Sequence, residues 1–231
     1  MERGFMLHEQ TSIRAVIFDY DGTLVRLNID FSRMRQDVEK VLILYGIEPA
    51  ALEGSYVLEI IDEAAARISE ENFTKGLTFR QTALEIVIEH EIRAAKYGTK
   101  LPGVPRILKK LREKNIKVGV ITRNCDEAVK MIFPDIDSYC DAFFPRDCVS
   151  RVKPHPNHLT MVLEALHVRD PMLCLMVGDH LMDIEAGKRL HMKTAGVLTG
   201  KIDRRAFMKA GADYILKDVT AVDDILFGGT A

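Results

Sequence analysis

Residues 13–24 read Ile-Arg-Ala-Val-Ile-Phe-Asp-Tyr-Asp-Gly-Thr-Leu, and the interpretation of the whole chain starts from this stretch. Its first six residues are mostly apolar and rich in β-branched side chains, which predicts a short buried strand. The run stops at Asp19-Tyr20-Asp21-Gly22, where Asp-Gly favours a turn and Gly22 lets the chain turn sharply. The stretch therefore predicts a strand with two carboxylates at its carboxyl end.

Strand-like and helix-like segments alternate through the second half of the chain. The further strand candidates are short apolar runs at 115–122, 142–144, 173–177, 193–198 and 213–216. The helix candidates between them lie at 104–114, 126–132, 155–166, 183–190, 204–209 and 219–226. Such alternation indicates βαβ units, so we expect an α/β fold with a doubly wound, Rossmann-like parallel sheet.

The segment 30–96 has a different pattern, without a convincing strand. Apolar residues recur there at three- and four-residue steps, which predicts two to four amphipathic helices. Gly46, Gly76 and Gly98 are expected to end or separate them. We therefore expect residues 1–25 and 100–231 to form the α/β core domain and residues 26–99 to form an inserted helical cap domain.

Composition excludes several classes of protein. The chain has 231 residues, with 32 Lys and Arg against 34 Asp and Glu, a net charge of −2 that argues against a nucleic-acid partner. Four cysteines without zinc-type spacing favour a reducing, cytoplasmic location. Residues 1–12 lack the apolar run of a signal peptide, and the apolar runs elsewhere are too short for a membrane span.

Polar residues follow four of the predicted strands. They share chemistry suited to a phosphate and a cation, and they are Asp19 and Asp21, Thr122, Lys153, and Asp179 with Asp183. Parallel sheets bind ligands at the carboxyl ends of their strands, so these groups are expected to meet. Clustered carboxylates suit Mg²⁺, and a lysine and a hydroxyl suit phosphate oxygens. A carboxylate in this setting can act as a nucleophile, and a second can act as general acid and base.

This set resembles the haloacid dehalogenase superfamily. The resemblance is carried by Phe18-Asp-Tyr-Asp-Gly-Thr-Leu24, Thr122, Lys153-Pro154, and Gly178-Asp179 followed by Asp183. It covers roughly residues 13–25 and 101–226, in the expected order. The long interval before Thr122 and the short one after it are similar to members with a helical cap after the first motif. Examples are phosphoglycolate phosphatase-like and β-phosphoglucomutase-like enzymes.

The resemblance implies a role for each matching residue. Asp19 would be the nucleophile, Asp21 the general acid and base, and Lys153 the group that neutralises Asp19 and the phosphate. The implied Mg²⁺ ligands are Asp19, Asp21 through its carbonyl, Asp179 and Asp183. The implied substrate-binding residues are Thr122, Arg123, Asn124, Gly22 and Thr23. Thr122 is also expected to cap the helix that follows, while Asn124 is either an N-cap or a substrate contact.

The implied activity is Mg²⁺-dependent hydrolysis of a small phosphorylated metabolite through an aspartyl-phosphate. A phosphomutase or phosphotransferase that uses the same Asp19 is the alternative, followed by a non-catalytic binding protein on this fold. We expect a monomer or a weak homodimer. Two departures from the family pattern stand out. His180 replaces a small residue, and either contacts substrate or the metal's water shell or is a loop histidine. Val25-Arg26-Leu27-Asn28 weakens a specific phosphoglycolate assignment.

Overall fold

The structure, a computed structural model, describes residues 13–54 and 56–228. Its strands are β1 (Ala15–Asp19), β2 (Val25–Arg26), β3 (Thr99–Lys100), β4 (Lys117–Ile121), β5 (Ala142–Phe144), β6 (Cys174–Gly178), β7 (Lys193–Val197) and β8 (Tyr214–Leu216). Its helices are α1 (Phe31–Leu44), α2 (Val57–Glu71), α3 (Phe73–Ala95), α4 (Val104–Glu113), α5 (Asp126–Ile132), α6 (Pro156–Ala165), α7 (Leu181–Arg189), α8 (Arg204–Ala210) and α9 (Val222–Phe227).

Six of these strands form one parallel sheet in the order β5-β4-β1-β6-β7-β8. Strand order reverses beside β1, the first strand of the chain, which lies between β4 and β6. All six were expected from the apolar runs, and the α/β fold with a parallel sheet is confirmed. Such a reversal point is where open parallel sheets bind their ligands.

The central strand explains why the carboxyl end of β1 becomes a site. All five of its residues are buried, so the strand is held by apolar side chains on both faces. Asp19 is level with Ile121 of β4, and Phe18 is level with Val177 of β6. The residues that directly follow β4 and β6 are therefore neighbours of Asp19.

The chain divides into two compact units within the described residues. One unit holds the chain up to Arg26 and again from Thr99, and the other is Leu27–Gly98. The second unit contains α1, α2 and α3 around its own apolar core, which includes Val38, Ile61 and Phe79. The function of this unit as a cap domain stays a prediction.

Gly76 does not separate two helices, as the sequence predicted, but lies inside α3. A β-carbon at this position would lie 2.8 Å from the carbonyl oxygen of Ala65 in α2. Because α2 and α3 approach so closely here, the position requires a residue without a side chain. Tertiary packing therefore outweighs the low helix propensity of glycine.

The strands β2 and β3 were not predicted. They pair antiparallel, with Val25 opposite Lys100 and Arg26 opposite Thr99. Both are two residues long, too short for any periodicity to show in the sequence. The chain leaves the core unit through one of these strands and returns to it through the other.

All four cysteines are free thiols. Cys148 is the exposed one. No helix within residues 13–54 and 56–228 combines the length and the apolar character that crossing a membrane requires. The prediction that residues 1–12 do not form a signal peptide lies outside the described residues.

Candidate active site

Asp19 ends β1 and is only 4% exposed. Its Oδ1 accepts a hydrogen bond from Nζ of Lys153, and its Oδ2 accepts one from Oγ1 of Thr23 at 3.0 Å. Burial raises the pKa of Asp19 above its usual value, against the opposing effect of the Lys153 ammonium. Thr23, predicted as a substrate-binding residue, is fully buried and contacts the proposed nucleophile instead of solvent.

Asp21 is held by two side chains that follow β4. Oγ1 of Thr122 donates to its Oδ2 at 2.7 Å, and Nδ2 of Asn124 donates to its Oδ1 at 3.0 Å. Burial and the charge of Asp19 raise the pKa of Asp21 to about 6. The carboxyl group can therefore change its protonation state close to neutral pH, as a general acid and base must.

Neither Thr122 nor Asn124 caps the next helix, so the capping prediction for Thr122 is wrong. The N-cap of α5 is Cys125, and Oγ1 of Thr122 accepts instead from the backbone N–H of Asn124 at 2.9 Å. The Thr122 hydroxyl is thereby oriented by the backbone so that its proton points to Asp21. The proposed contacts of Thr122 and Asn124 with substrate stay predictions.

Lys153 lies in the loop before α6 and is 2% exposed. Its Nζ donates to Asp19 and, at 2.7 Å, to Oδ1 of Asp183. Burial alone would lower the pKa of Lys153, but Asp183 and Asp19 outweigh it and raise the pKa above its usual value. Lys153 is therefore charged throughout the physiological range and links the end of β1 to the first turn of α7.

Asp183 has two functions in the structure. It lies in the first turn of α7, where its Oδ2 accepts from the backbone N–H of His180 at 3.0 Å, while Nδ1 of His180 accepts from the backbone N–H of Met182 at 3.2 Å. These reciprocal bonds cap the helix and fix the carboxylate that binds Lys153. Asp183 therefore caps the helix and binds Lys153 at the same time, and its predicted contact with Mg²⁺ stays a prediction. His180 acts as the N-cap of α7 and is half-buried.

Asp179 directly follows β6 and is held between two glycines. A β-carbon on Gly22 would lie 2.2 Å from Oδ2 of Asp179, and one on Gly200 would lie 1.9 Å from the same atom. Gly22 has a φ of +81°, and its carbonyl oxygen accepts from Oγ1 of Thr199 at 2.6 Å. The loop after β7 therefore joins the site. Burial and the charge of Asp19 raise the pKa of Asp179 to about 9.

The carboxylates suit a divalent cation. Asp19, Asp179 and Asp183 can each offer one oxygen, and these three atoms lie within 4.8 Å of one another. Together with Asp21 they place four carboxyl groups beside the ammonium of Lys153, and their mutual repulsion disfavours the ionisation of all four in the absence of a cation. An all-oxygen donor set of this kind fits a hard divalent cation. The carboxylate of Asp21 is bonded elsewhere, and its predicted carbonyl contact with the metal stays a prediction.

Arg123 was predicted as a substrate-binding residue. The structure places its Nη1 2.7 Å from the carbonyl oxygen of Lys153, to which it donates. Its substrate contact stays a prediction, as does that of Gly22. Sequence reasoning missed His158, which binds the backbone of Lys153, and also missed Thr199 and Gly200. For Thr199 and Gly200, the signal in the sequence was that a polar residue and a glycine follow a predicted strand.

Comparison with known proteins shows the family to which the chain belongs. The sequence profile of the haloacid dehalogenase-like hydrolase family matches residues 16–197. The chain is 27% identical to the pyrophosphatase PpaX of Oceanobacillus iheyensis, over 93% of this chain and 97% of that protein. It is 30% identical to the phosphoglycolate phosphatase of Aquifex aeolicus, over 82% and 87% of the two chains.

A solved structure supports the fold. The haloacid dehalogenase-like hydrolase from Bacteroides fragilis superposes with a TM-score of 0.62 at 19% identity, over 91% of this chain and 99% of that one. The chain therefore belongs to the haloacid dehalogenase-like hydrolase family. The predicted family is confirmed, and so is the predicted enzyme class, a phosphatase hydrolase of that family.

Proposed function

We propose that this enzyme hydrolyses a small phosphomonoester through an aspartyl-phosphate on Asp19 and depends on Mg²⁺. One observation carries the proposal. The buried carboxylate of Asp19 is bonded by Lys153, while the carboxylate of Asp21, two residues further on, is bonded by Thr122 and Asn124. The two acids therefore differ in their partners, as a nucleophile and a proton donor should.

The reaction balances with the groups present. A carboxylate oxygen of Asp19 attacks phosphorus, and the bond from phosphorus to the ester oxygen breaks as the carboxylic acid of Asp21 gives that oxygen its proton. Asp21, now a carboxylate, then takes a proton from a water molecule that attacks the phosphorus. The bond between phosphorus and Asp19 breaks, which releases inorganic phosphate and restores both acids.

Lys153 provides a permanent positive charge next to Asp19 throughout this cycle. The Thr122 hydroxyl, which donates to Asp21 in the structure, is proposed to turn its single proton to a phosphoryl oxygen when substrate binds. Mg²⁺, held by Asp19, Asp179 and Asp183, would neutralise carboxylate and phosphate charge. The proposal also includes the helical unit Leu27–Gly98 as a cap domain that selects the substrate. It further includes a cytoplasmic location and a monomer or weak homodimer without nucleic-acid or membrane partners.

Inorganic pyrophosphate is a second candidate substrate. The similarity to the pyrophosphatase PpaX of Oceanobacillus iheyensis extends over 93% of this chain, which favours it. Pyrophosphate is a phosphoric anhydride whose leaving group is itself a phosphate, so the same two carboxylates would serve. An assay of this enzyme should therefore use a panel of candidate substrates that contains pyrophosphate, sugar phosphates and phosphoglycolate.

The test is phosphate release from this panel in the presence of Mg²⁺ and of EDTA. We expect release that requires Mg²⁺, that is lost in Asp19→Asn, and that falls by about two to four orders of magnitude in Asp21→Asn. Asp224→Asn makes the same chemical change at an exposed position and should behave like wild type. Phosphate release by clean Asp19→Asn protein at the wild-type rate would refute the nucleophile. Transfer to sugar acceptors in preference to water would favour the mutase.

A further inference from the structure

The backbone of Lys153 is held on both sides of its Cα atom. Its backbone N–H donates to Nδ1 of His158 at 3.2 Å, and its carbonyl oxygen accepts from Nη1 of Arg123 at 2.7 Å. The backbone of Arg123 is held in turn, because its carbonyl oxygen accepts from Nη1 of Arg146 at 2.8 Å. Two side chains from different elements thus define the place of one loop residue, Lys153.

His158 lies in the first turn of α6 and is fully buried. Its Nε2 lies 2.9 Å from the carbonyl oxygen of Phe144, the last residue of β5, and that oxygen also accepts from the backbone N–H of Thr122 at 3.2 Å. Because one ring nitrogen faces an N–H and the other a carbonyl, Nδ1 must accept and Nε2 must carry the proton. Burial lowers the pKa of His158 to about 4, so this neutral ring persists at pH 7.

Lysine needs such support more than a shorter residue does. Its ammonium sits at the end of a flexible four-carbon stem, so a backbone that is not fixed leaves many conformations in which the charge lies away from Asp19. The bonds of Nζ to Asp19 and Asp183 fix the far end of the stem. His158 and Arg123 fix its near end.

We propose that His158 is a positioning residue for Lys153. Its ring joins the backbone N–H of Lys153 to the carbonyl oxygen of Phe144 at the end of β5, and this places Nζ of Lys153 beside Asp19. The proposal rests on the proposed function for its effect on turnover, but not for its effect on the Lys153 peptide. A purely structural role in the packing of α6 would require only the volume of the ring. The arrangement seen here uses both ring nitrogens, each toward a partner of opposite polarity.

Two conservative substitutions separate these roles, because each keeps a different half of the ring. The amide oxygen of Asn occupies the place of Nδ1, so His158→Asn keeps the acceptor for Lys153 and loses the donor to Phe144. The amide nitrogen of Gln reaches the place of Nε2, so His158→Gln keeps the donor and loses the acceptor. Each variant loses one hydrogen bond, so the two should lose similar thermal stability.

The expected kinetic result is asymmetric. His158→Gln should lower kcat about tenfold, the equivalent of about one net hydrogen bond, and leave KM within about twofold. His158→Asn should restore kcat to within about threefold of wild type. Equal losses of kcat in both variants, in proportion to the fall in melting temperature, would overturn the proposal.

Amide hydrogen exchange gives a readout that needs no substrate. In wild type the Lys153 N–H should exchange far more slowly than exposed loop amides, and His158→Gln should accelerate it about tenfold while His158→Asn leaves it protected. Wild-type exchange at the rate of open loops would overturn the proposal even if no variant folds. A wild-type enzyme that releases no phosphate would refute the proposed function, while the exchange rates would still decide the role of His158.

Discussion

Replacing Gly200 with alanine should move Asp179 without changing any charge in the site. The new methyl carbon would lie 1.9 Å from Oδ2 of Asp179, whereas real contacts of this kind are no closer than 3.0 Å. The gap must therefore widen by about 1 Å, and a misplacement of that size in an active site costs about 100-fold in rate. We expect kcat to fall about 100-fold, or about 2.7 kcal/mol of transition-state stabilisation.

The assay is phosphate release as a function of Mg²⁺ concentration, with the best substrate of the panel. Gly200→Ala should lower kcat and also raise the Mg²⁺ concentration for half-maximal activity, since Asp179 is a proposed ligand. Gly46→Ala is the matched control, because a β-carbon there meets no atom within 4 Å. Its φ of +80° predicts a stability cost of about 1 kcal/mol with no effect on the site. A Gly200→Ala enzyme with wild-type kcat and Mg²⁺ response would refute this account of Asp179.

Three further predictions concern stability. Burial lowers the pKa of His158 to about 4, so its ring is neutral in the folded protein and takes up a proton when the protein unfolds below pH 6.5. The free energy of unfolding should therefore fall by up to about 3 kcal/mol between pH 6.5 and pH 4. Urea titrations should show a smaller fall in His158→Asn; equal falls would contradict the assignment. Tyr20→Phe removes the hydroxyl that donates to the carbonyl oxygen of Val129 at 3.0 Å and should cost about 1–3 kcal/mol in the same titrations, whereas an unchanged urea midpoint would count against this bond. Ile61→Ala opens a cavity in the core of the helical unit and should cost about 2–5 kcal/mol, unless the unit collapses to fill it, which a crystal structure would reveal.

The sheet could be predicted because each of its strands is a short apolar run that ends at turn or polar residues. The segment at 142–144 is an example, since only three residues sufficed to place β5. The pair of β2 and β3 could not be predicted, because a strand of two residues is too short to show an alternation of apolar and polar side chains. The place of Gly76 could not be predicted either, because its cause is the close approach of α2, a tertiary contact.

The candidate site divides along the same line. Asp19, Lys153 and Asp183 could be placed together from the sequence. Their side chains are ionisable, and they follow strands whose carboxyl ends meet at one edge of a parallel sheet. His158 could not be linked to them, because it binds backbone atoms of Lys153 and Phe144. Every residue has the same backbone atoms, so such a contact cannot be predicted from residue types. Gly200 contributes by having no β-carbon, because a β-carbon there would collide with the carboxylate of Asp179. The sequence therefore predicted which side chains converge, but not the residues that hold them in place.

The four site carboxylates are held in different ways. Asp19, Asp21 and Asp183 each accept hydrogen bonds from protein donors. Asp179 has no hydrogen-bond donor to its carboxylate within residues 13–54 and 56–228, and the two glycines beside it set its place by shape alone. A carboxylate without a donor, close to another carboxylate, gains most from a cation. Asp179 is therefore the proposed ligand whose position should govern metal affinity most directly, whereas the other three carboxylates are also held by hydrogen bonds from the protein. This is why a methyl group at Gly200, which removes no charged group and no hydrogen-bonding group, is a sharper probe of the metal site than removal of any one acid.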